Sequence, residues 1–275
     1  MDERTLARLH GPHAVFRRMV SMAGVKPDRS ADPYYDEMYV RVHEDRIETP
    51  AGSVDSSLAT YGTVSTDVLP GSEVAHDGPV TAIFDIRETL QWLGWVATDP
   101  TDDLTVEFVG DPETGNASDL QVTNGRVTAH IDCYRDPELF EQITMELPRR
   151  FTADERFRLE DGSLAPTVVE TTAESMQRIA AGVELDSHLS SYPFVVEDGE
   201  LRLVLENRQY TRAAGTLEAT VEGPDVANEY DEAFAALFDA VSGDLTVQTG
   251  PGEPLVVVQE RPAFTLRYAV MPKVW

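Results

Sequence analysis

The chain has 275 residues, with 49 acidic side chains against 22 basic ones and a formal net charge of −27. Hydrophobic residues make up 41% and charged residues 26%, a globular balance that excludes a disordered chain, and the length suggests two domains. No apolar run approaches the ~20 residues of a membrane span, the first residues lack the apolar stretch of a secretion signal, and a single cysteine, Cys133, excludes an internal disulfide or a cysteine zinc site.

The elements follow from the punctuation. Residues 12–24 read as a helix, with Phe16, Met19, Val20 and Ala23 on one face and Gly24 at its end. Residues 37–44 and 45–52 alternate and form a hairpin; 56–65 is strand-like; 80–86 is a strand leading into a helix over 87–97. Strands over 103–111, 118–123 and 126–134 follow, the last two joined at Asn124-Gly125, a strong hairpin signal. Residues 135–163 are dense in charge, without a strand period, and read as a long connector with some helical character. Then come a strand (164–171), a short helix (173–183) with Met176, Ile179, Ala180 and Val183 on one face, a hairpin (191–207) turning at Asp198-Gly199, a strand (216–223), an amphipathic helix (230–241) and closing strands (244–272) around Gly250-Pro251-Gly252. Each half thus carries two short helices set among strand hairpins, an internal repeat at half the chain length that lives in the pattern alone.

Lysine occurs only at Lys26 and Lys273; every other basic residue is arginine. Many acids with almost no lysine suit a protein kept hydrated in molar salt, where a Debye length of ~3 Å makes such self-repulsion tolerable. A halophile's cytoplasm is the expected home, and an acidic surface for basic partners is the alternative.

Three stretches resemble the DNA sliding clamp family, the proliferating cell nuclear antigens of archaea and eukaryotes. They are the 37–54 hairpin with Thr49-Pro50-Ala51-Gly52, the 164–180 strand and helix, and the C-terminal run Tyr268-Ala269-Val270-Met271-Pro272-Lys273-Val274. The resemblance implies an α+β fold of two tandem similar domains, over 1–134 and 164–275 with the connector at 135–163, sheets outside and two helices each inside, assembling as a ring. It implies a homotrimer that closes around duplex DNA, tethers polymerase and other enzymes carrying clamp-binding peptides, is opened by a clamp loader, and does no chemistry and needs no cofactor.

On that reading the exposed helix faces carry the DNA contacts: Arg17, Arg18, Arg87, Gln91, Gln177 and Arg178. The fourth helix departs from the family, with Ala235 and Asp239 at positions usually given to lysine and with Glu232, Ala236 and Asp239 facing outward. This motivates the rival reading, a clamp-like protein scaffold that no longer holds DNA. The family's partner-peptide pocket implies Ile143, Met145, Leu147, Tyr268, Val270, Met271 and Pro272 here, with Trp275 as a cover or a strand cap. The subunit interface implies strands 126–133 and 216–222, with Val127, Ala129, Ile131, Leu217, Ala219 and Val221. Two histidines, His10 and His13, flank Gly-Pro without a further metal ligand nearby, and Cys133 reads as a packed small hydrophobe.

Overall fold

A computed structural model of the chain describes residues 4–22, 37–52, 57–99, 101–134, 146–186, 188–206 and 211–273. The first half runs β1 (Arg4–Pro12), α1 (His13–Met22), β2 (Glu37–Val42), β3 (Arg46–Gly52), β4 (Leu58–Ser65), β5 (Glu73–Val74), β6 (Val80–Asp85), α2 (Ile86–Val96), β7 (Asp103–Asp111), β8 (Asn116–Thr123) and β9 (Thr128–Asp132). A short helix, α3 (Glu146–Arg149), lies in the connector. The second half runs β10 (Thr167–Thr172), α4 (Ala173–Glu184), β11 (Tyr192–Glu197), β12 (Glu200–Glu206), β13 (Thr211–Thr216), β14 (Ala219–Glu222), β15 (Val226–Tyr230), α5 (Glu232–Ala240), β16 (Asp244–Thr249), β17 (Leu255–Arg261) and β18 (Phe264–Val270).

The halves repeat one pairing scheme. In the first, β4, β3, β2 and β6 are neighbours in that order, and β9, β8, β7, β1 and β5 in theirs. In the second, β13, β12, β11 and β15 match the first set, and β18, β17, β16, β10 and β14 match the other. A seam joins the halves: β4 and β18 pair antiparallel from Leu58↔Val270 to Val64↔Phe264.

Local chemistry fixes the elements. Asp85 caps α2 by accepting from Glu88 N at 2.6 Å, Thr172 caps α4 by accepting from Ser175 N, and Asp231 caps α5 by accepting from Ala233 N at 3.0 Å. The Asp198-Gly199 turn holds both residues at positive φ, 52° and 74°, as a two-residue hairpin loop demands. One large core continues across the seam. It takes Phe16, Met19 and Val20 from α1, Leu93 and Val96 from α2, Met176 and Ile179 from α4 and Phe234, Leu237 and Phe238 from α5.

Several elements differ from the sequence expectation. β1, β5, β13 and β15 were not anticipated as separate strands, and the 216–223 strand divides: Thr216 ends β13, while β14 spans only Ala219–Glu222. The connector, expected to have some helical character, contributes one helical turn and two isolated bridges, Phe151↔Phe157 and Arg158↔Leu164. Residues 135–145 lie outside the described residues.

Candidate nucleic-acid and partner interfaces

Three surfaces carry the residues singled out from the sequence: the exposed helix faces, the outer face of the seam, and the sheet edges. On α1, burial of Phe16, Met19 and Val20 turns Arg17 and Arg18 to solvent. On α2, Arg87 and Gln91 are exposed. The C-terminus of α2 is capped by Asn124, whose Nδ2 donates to the Val96 carbonyl at 2.7 Å. Trp92 and Trp95 meet edge to face at 5.6 Å; Trp95 remains 58% exposed. On α4, Arg178 is exposed.

Gln177 behaves differently from its expectation. It is half-buried, and its Nε2 donates to the Phe238 carbonyl at 2.7 Å, tying α4 to the end of α5. The amide therefore serves the helix pair. Ala236 is also corrected: Ala233 through Phe238 are all buried, and α5 exposes only Glu232, Asp239 and Ala240. Alanine is small enough for neighbouring elements to close over it, so its place on the helical wheel overstated its exposure. The charged residues exposed on the four helices are Arg17, Arg18, Arg87 and Arg178 against Glu88, Glu174, Glu184, Glu232 and Asp239.

The outer face of the seam is roofed by the connector. Leu147 and Phe157 are buried with Ala165, Val256 and Ala269, and Ala59, Tyr61, Phe151 and Leu159 pack around them. The Arg267 guanidinium lies 4.8 Å from the Tyr61 ring centre and 5.4 Å from that of Phe151. It is also held by both carboxylate oxygens of Glu155. The Gln248 amide reads the connector backbone, accepting from Phe157 N at 2.9 Å and donating to the Glu155 carbonyl at 2.6 Å.

This geometry separates the expected partner pocket into two faces. Side chains alternate along β18, so Arg267 and Ala269 point to the connector, whereas Tyr268 and Val270 enter the main core beneath the helices. Burial pushes the Tyr268 phenol up to about 12. Tyr268 and Val270 therefore do not face Leu147, and Ala269 takes the outward place. Met271 is 43% exposed just beyond β18, and Pro272 forms an isolated bridge with Tyr230. Ile143, Met145 and Trp275 lie outside the described residues.

The edges are equally specific. Among the described residues, β9 pairs only with β8, β13 only with β12 and β14 only with β10. Of the expected interface residues, Val127 is exposed, whereas Ala129 and Ile131 are buried in the first half's own core. Leu217 is a correction: it is buried, and its N–H donates to the Leu201 carbonyl within the chain. Ala219 and Val221 are half-buried on β14.

Other candidates have local explanations. Cys133 is buried, and desolvation with Asp119 and Asp132 nearby pushes its thiol up to about 12, far from a reactive thiolate. His10 Nδ1 lies 3.1 Å from Thr105 Oγ1. Among the described residues, no group of three or more His, Cys, Asp or Glu is placed to hold a metal ion, and no helix is long and apolar enough to cross a membrane.

Comparison with solved structures gives one answer. The Archaeoglobus fulgidus (A. fulgidus) PCNA bound to the C-terminal region of FEN-1 superposes with a TM-score of 0.70 at 13% identity, over 98% of this chain and 99% of that one. PCNA from Thermococcus kodakaraensis gives 0.68 at 14% identity, over 97% and 100%. Proliferating cellular nuclear antigen from Entamoeba histolytica gives 0.68 at 11% identity, over 98% and 100%. The chain has the fold of proliferating cell nuclear antigen. No protein-family model and no curated protein matches the sequence, so the PCNA likeness rests on strand order and packing. In that two-domain PCNA fold, the repeated sheets and helix pairs described above are the two domains, and the β4–β18 seam is the joint between them.

Proposed function

We propose that this protein is a DNA sliding clamp. Three copies close head to tail into a ring around duplex DNA, tether polymerase and repair enzymes, and are opened by a clamp loader. The clamp itself is a non-enzymatic scaffold of the cytoplasm, without cofactor, and its acidity suits molar salt. The observation that carries this reading is the unfinished repeat. One seam joins β18 to β4 inside the chain, and among the described residues the corresponding strands, β9 and β13, each pair along one side only. Exposed edges of this kind are templates for pairing, and a heterologous contact repeated head to tail closes a ring when its rotation permits.

The DNA-facing residues are Arg17, Arg18, Arg87, Gln91 and Arg178, with Gln177 acting indirectly through α5. Enclosure holds the duplex topologically, so a modest set of phosphate contacts suffices. Partner peptides dock where the connector meets the end of β18, against Leu147, Ala269, Met271 and Pro272. The neighbour solved with the C-terminal region of FEN-1 supports partner docking of this class.

A second reading, a protein scaffold that does not hold DNA, is favoured by α5, which exposes Glu232 and Asp239 and no basic residue. Light scattering after gel filtration in molar KCl tests the ring first. A mass near three chains of 30.4 kDa supports it, and a monomer sinks it. Stimulation of a polymerase on a primed circular template then separates the two readings.

A further inference from the structure

We infer that His13 is an acid-sensitive pin at the start of α1: neutral, it seats the helix against the turn that follows α2, and as a cation it leaves that seat and frees the first turn. The inference rests on the surroundings of one side chain. Only its consequence for DNA, through Arg17 and Arg18 on the same helix, rests on the clamp reading.

The seat is built from two sides. β1 ends at Pro12 and α1 begins at His13, with no loop between them. A Cβ added at Gly11 would come within 2.7 Å of Leu69 Cδ2, so the strand enters this junction in close contact. From the other side, the Asp102 carbonyl accepts from His13 N at 2.8 Å. The Asp102 carboxylate is engaged by its own turn, where Oδ2 accepts from Thr98 N, Thr98 Oγ1 and Asp99 N. His13 is 6% exposed, and among the described residues neither ring nitrogen has a hydrogen-bond partner.

Such a seat suits a neutral ring. A cation there loses its water, meets the positive end of the helix dipole and lies one turn from Arg17, in a helix with no acid in its first turn. Burial first, then Arg17, pushes the imidazole below its ordinary 6.5, and Asp102 acts more weakly the other way. Arg126 in turn acts on Asp102 and offsets part of that pull. The other charged and titratable neighbours are engaged elsewhere. On β1, Arg8 pairs with Glu107 and His10 meets Thr105. Asp99 accepts from Thr101, Asp103 opposite Pro12 is exposed, and β4 carries no charged residue. Arg87 and Glu88 belong to the far end of α2.

The repeat singles this histidine out. In the second half β10 ends at Thr172, α4 begins at Ala173, and Ala173 N donates to the Gly243 carbonyl at 2.8 Å. The counterpart of His13 is thus a buried alanine, which takes up no proton. The unfolded chain binds the histidine proton near 6.5 and the folded chain only at lower pH. Stability from the neutral ring is therefore complete above that value and is lost as pH falls below it.

The test is amide hydrogen exchange of the full chain in molar KCl, at about pH 7.5 and about pH 5, for the parent, His13→Phe and His13→Ala. Exchange in α1 is read as a ratio to exchange in α4, which cancels the intrinsic effect of pH. In the parent this ratio should rise severalfold on acidification; in both variants it should stay constant. His13→Ala copies the residue of the second half and covers the case in which a phenyl ring does not fit. An unchanged ratio in the parent overturns the inference, as does an acid response that survives in either variant. Light scattering on the same samples reads the ring separately: a monomer removes the clamp reading, and the exchange ratio still decides the role of His13.

Discussion

Arg267 of β18 and Glu155 of the connector form a two-pronged ion pair directly above the seam between the two halves. The guanidinium is nearly buried, with 8% of its side chain exposed against 26% for Glu155, and two aromatic rings flank it. The connector is therefore fastened to the strand pair that holds the halves together, and the aromatic packing and the charge pair reinforce one another.

Removing the carboxylate leaves a buried cation without its partner. Glu155→Ala should destabilise the chain by about 3 kcal/mol. Arg267→Met keeps the flanking rings packed and leaves a carboxylate that water already reaches in part, so its cost should be nearer ~1 kcal/mol. Denaturant unfolding of both variants checks the order; equal losses would show that packing outweighs the charge pair.

Replacing Arg17, Arg18 and Arg178 together with Glu should reduce DNA-dependent stimulation of a polymerase while the mass in solution stays unchanged. The same assay in the parent chain should depend only weakly on salt. Each phosphate neutralised contributes about −0.9 to the slope of log K against log salt, and across α1, α2, α4 and α5 the four exposed arginines are outnumbered by five exposed acids. Undiminished stimulation in the triple variant would remove these helices from the DNA contact.

Charge at the two formerly equivalent interface candidates should act in different ways. Val127→Asp sits on an exposed edge and should lower the assembled mass while leaving the fold's circular dichroism intact. Leu217→Asp buries an unpaired carboxylate in the second half's core, so it should lower the unfolding temperature, before any effect on assembly, by several degrees or more. Dissociation without destabilisation in Leu217→Asp would return it to the interface.

Alkaline pH should unfold the protein. Burial pushes the Tyr61, Tyr230 and Tyr268 phenols and the Cys133 thiol up to about 12. A group whose folded pKa is raised stabilises the fold fully below its unfolded pKa, here 10.0 for tyrosine and 9.0 for cysteine, and loses that contribution as pH rises toward about 12. Circular dichroism and phenolate absorbance should therefore change together above pH ~10, and Cys133 should resist alkylation at pH 8 until the chain is unfolded. Phenolate absorbance saturating near pH 10 with the fold intact would contradict this.

Much of the architecture was legible where burial imposes a period. The α1 and α4 faces, the Asn124-Gly125 and Asp198-Gly199 hairpins and the repeat itself follow from apolar spacing and turn chemistry. β13 was not legible because Ala213, Ala214 and Gly215 carry no alternation; its extended state comes from pairing with β12. β1 was hidden by a bulge between Thr5 and Ala7, which places Leu6 and Ala7 side by side among buried residues and breaks the period. The peptide-pocket residues came from the family resemblance, which places the pocket at the C-terminal strand without saying which face each residue takes; strand alternation sends Tyr268 and Val270 to the main core and Ala269 to the connector. The connector's contacts depend on Arg267 and Gln248, about a hundred residues further along the chain, and no local pattern announces such a partner.

In the proposed head-to-tail ring, the roof over the β4–β18 seam would make the two kinds of joint mechanically unequal. Inside each chain the joint is spanned by the connector and latched through Glu155; between chains the described residues offer strand edges and no overlying latch. A force that pries the ring would find alternate joints stiff and weak, and it would part a weak one first. The gate would thus be set by where the polypeptide is discontinuous, without any specialised hinge sequence.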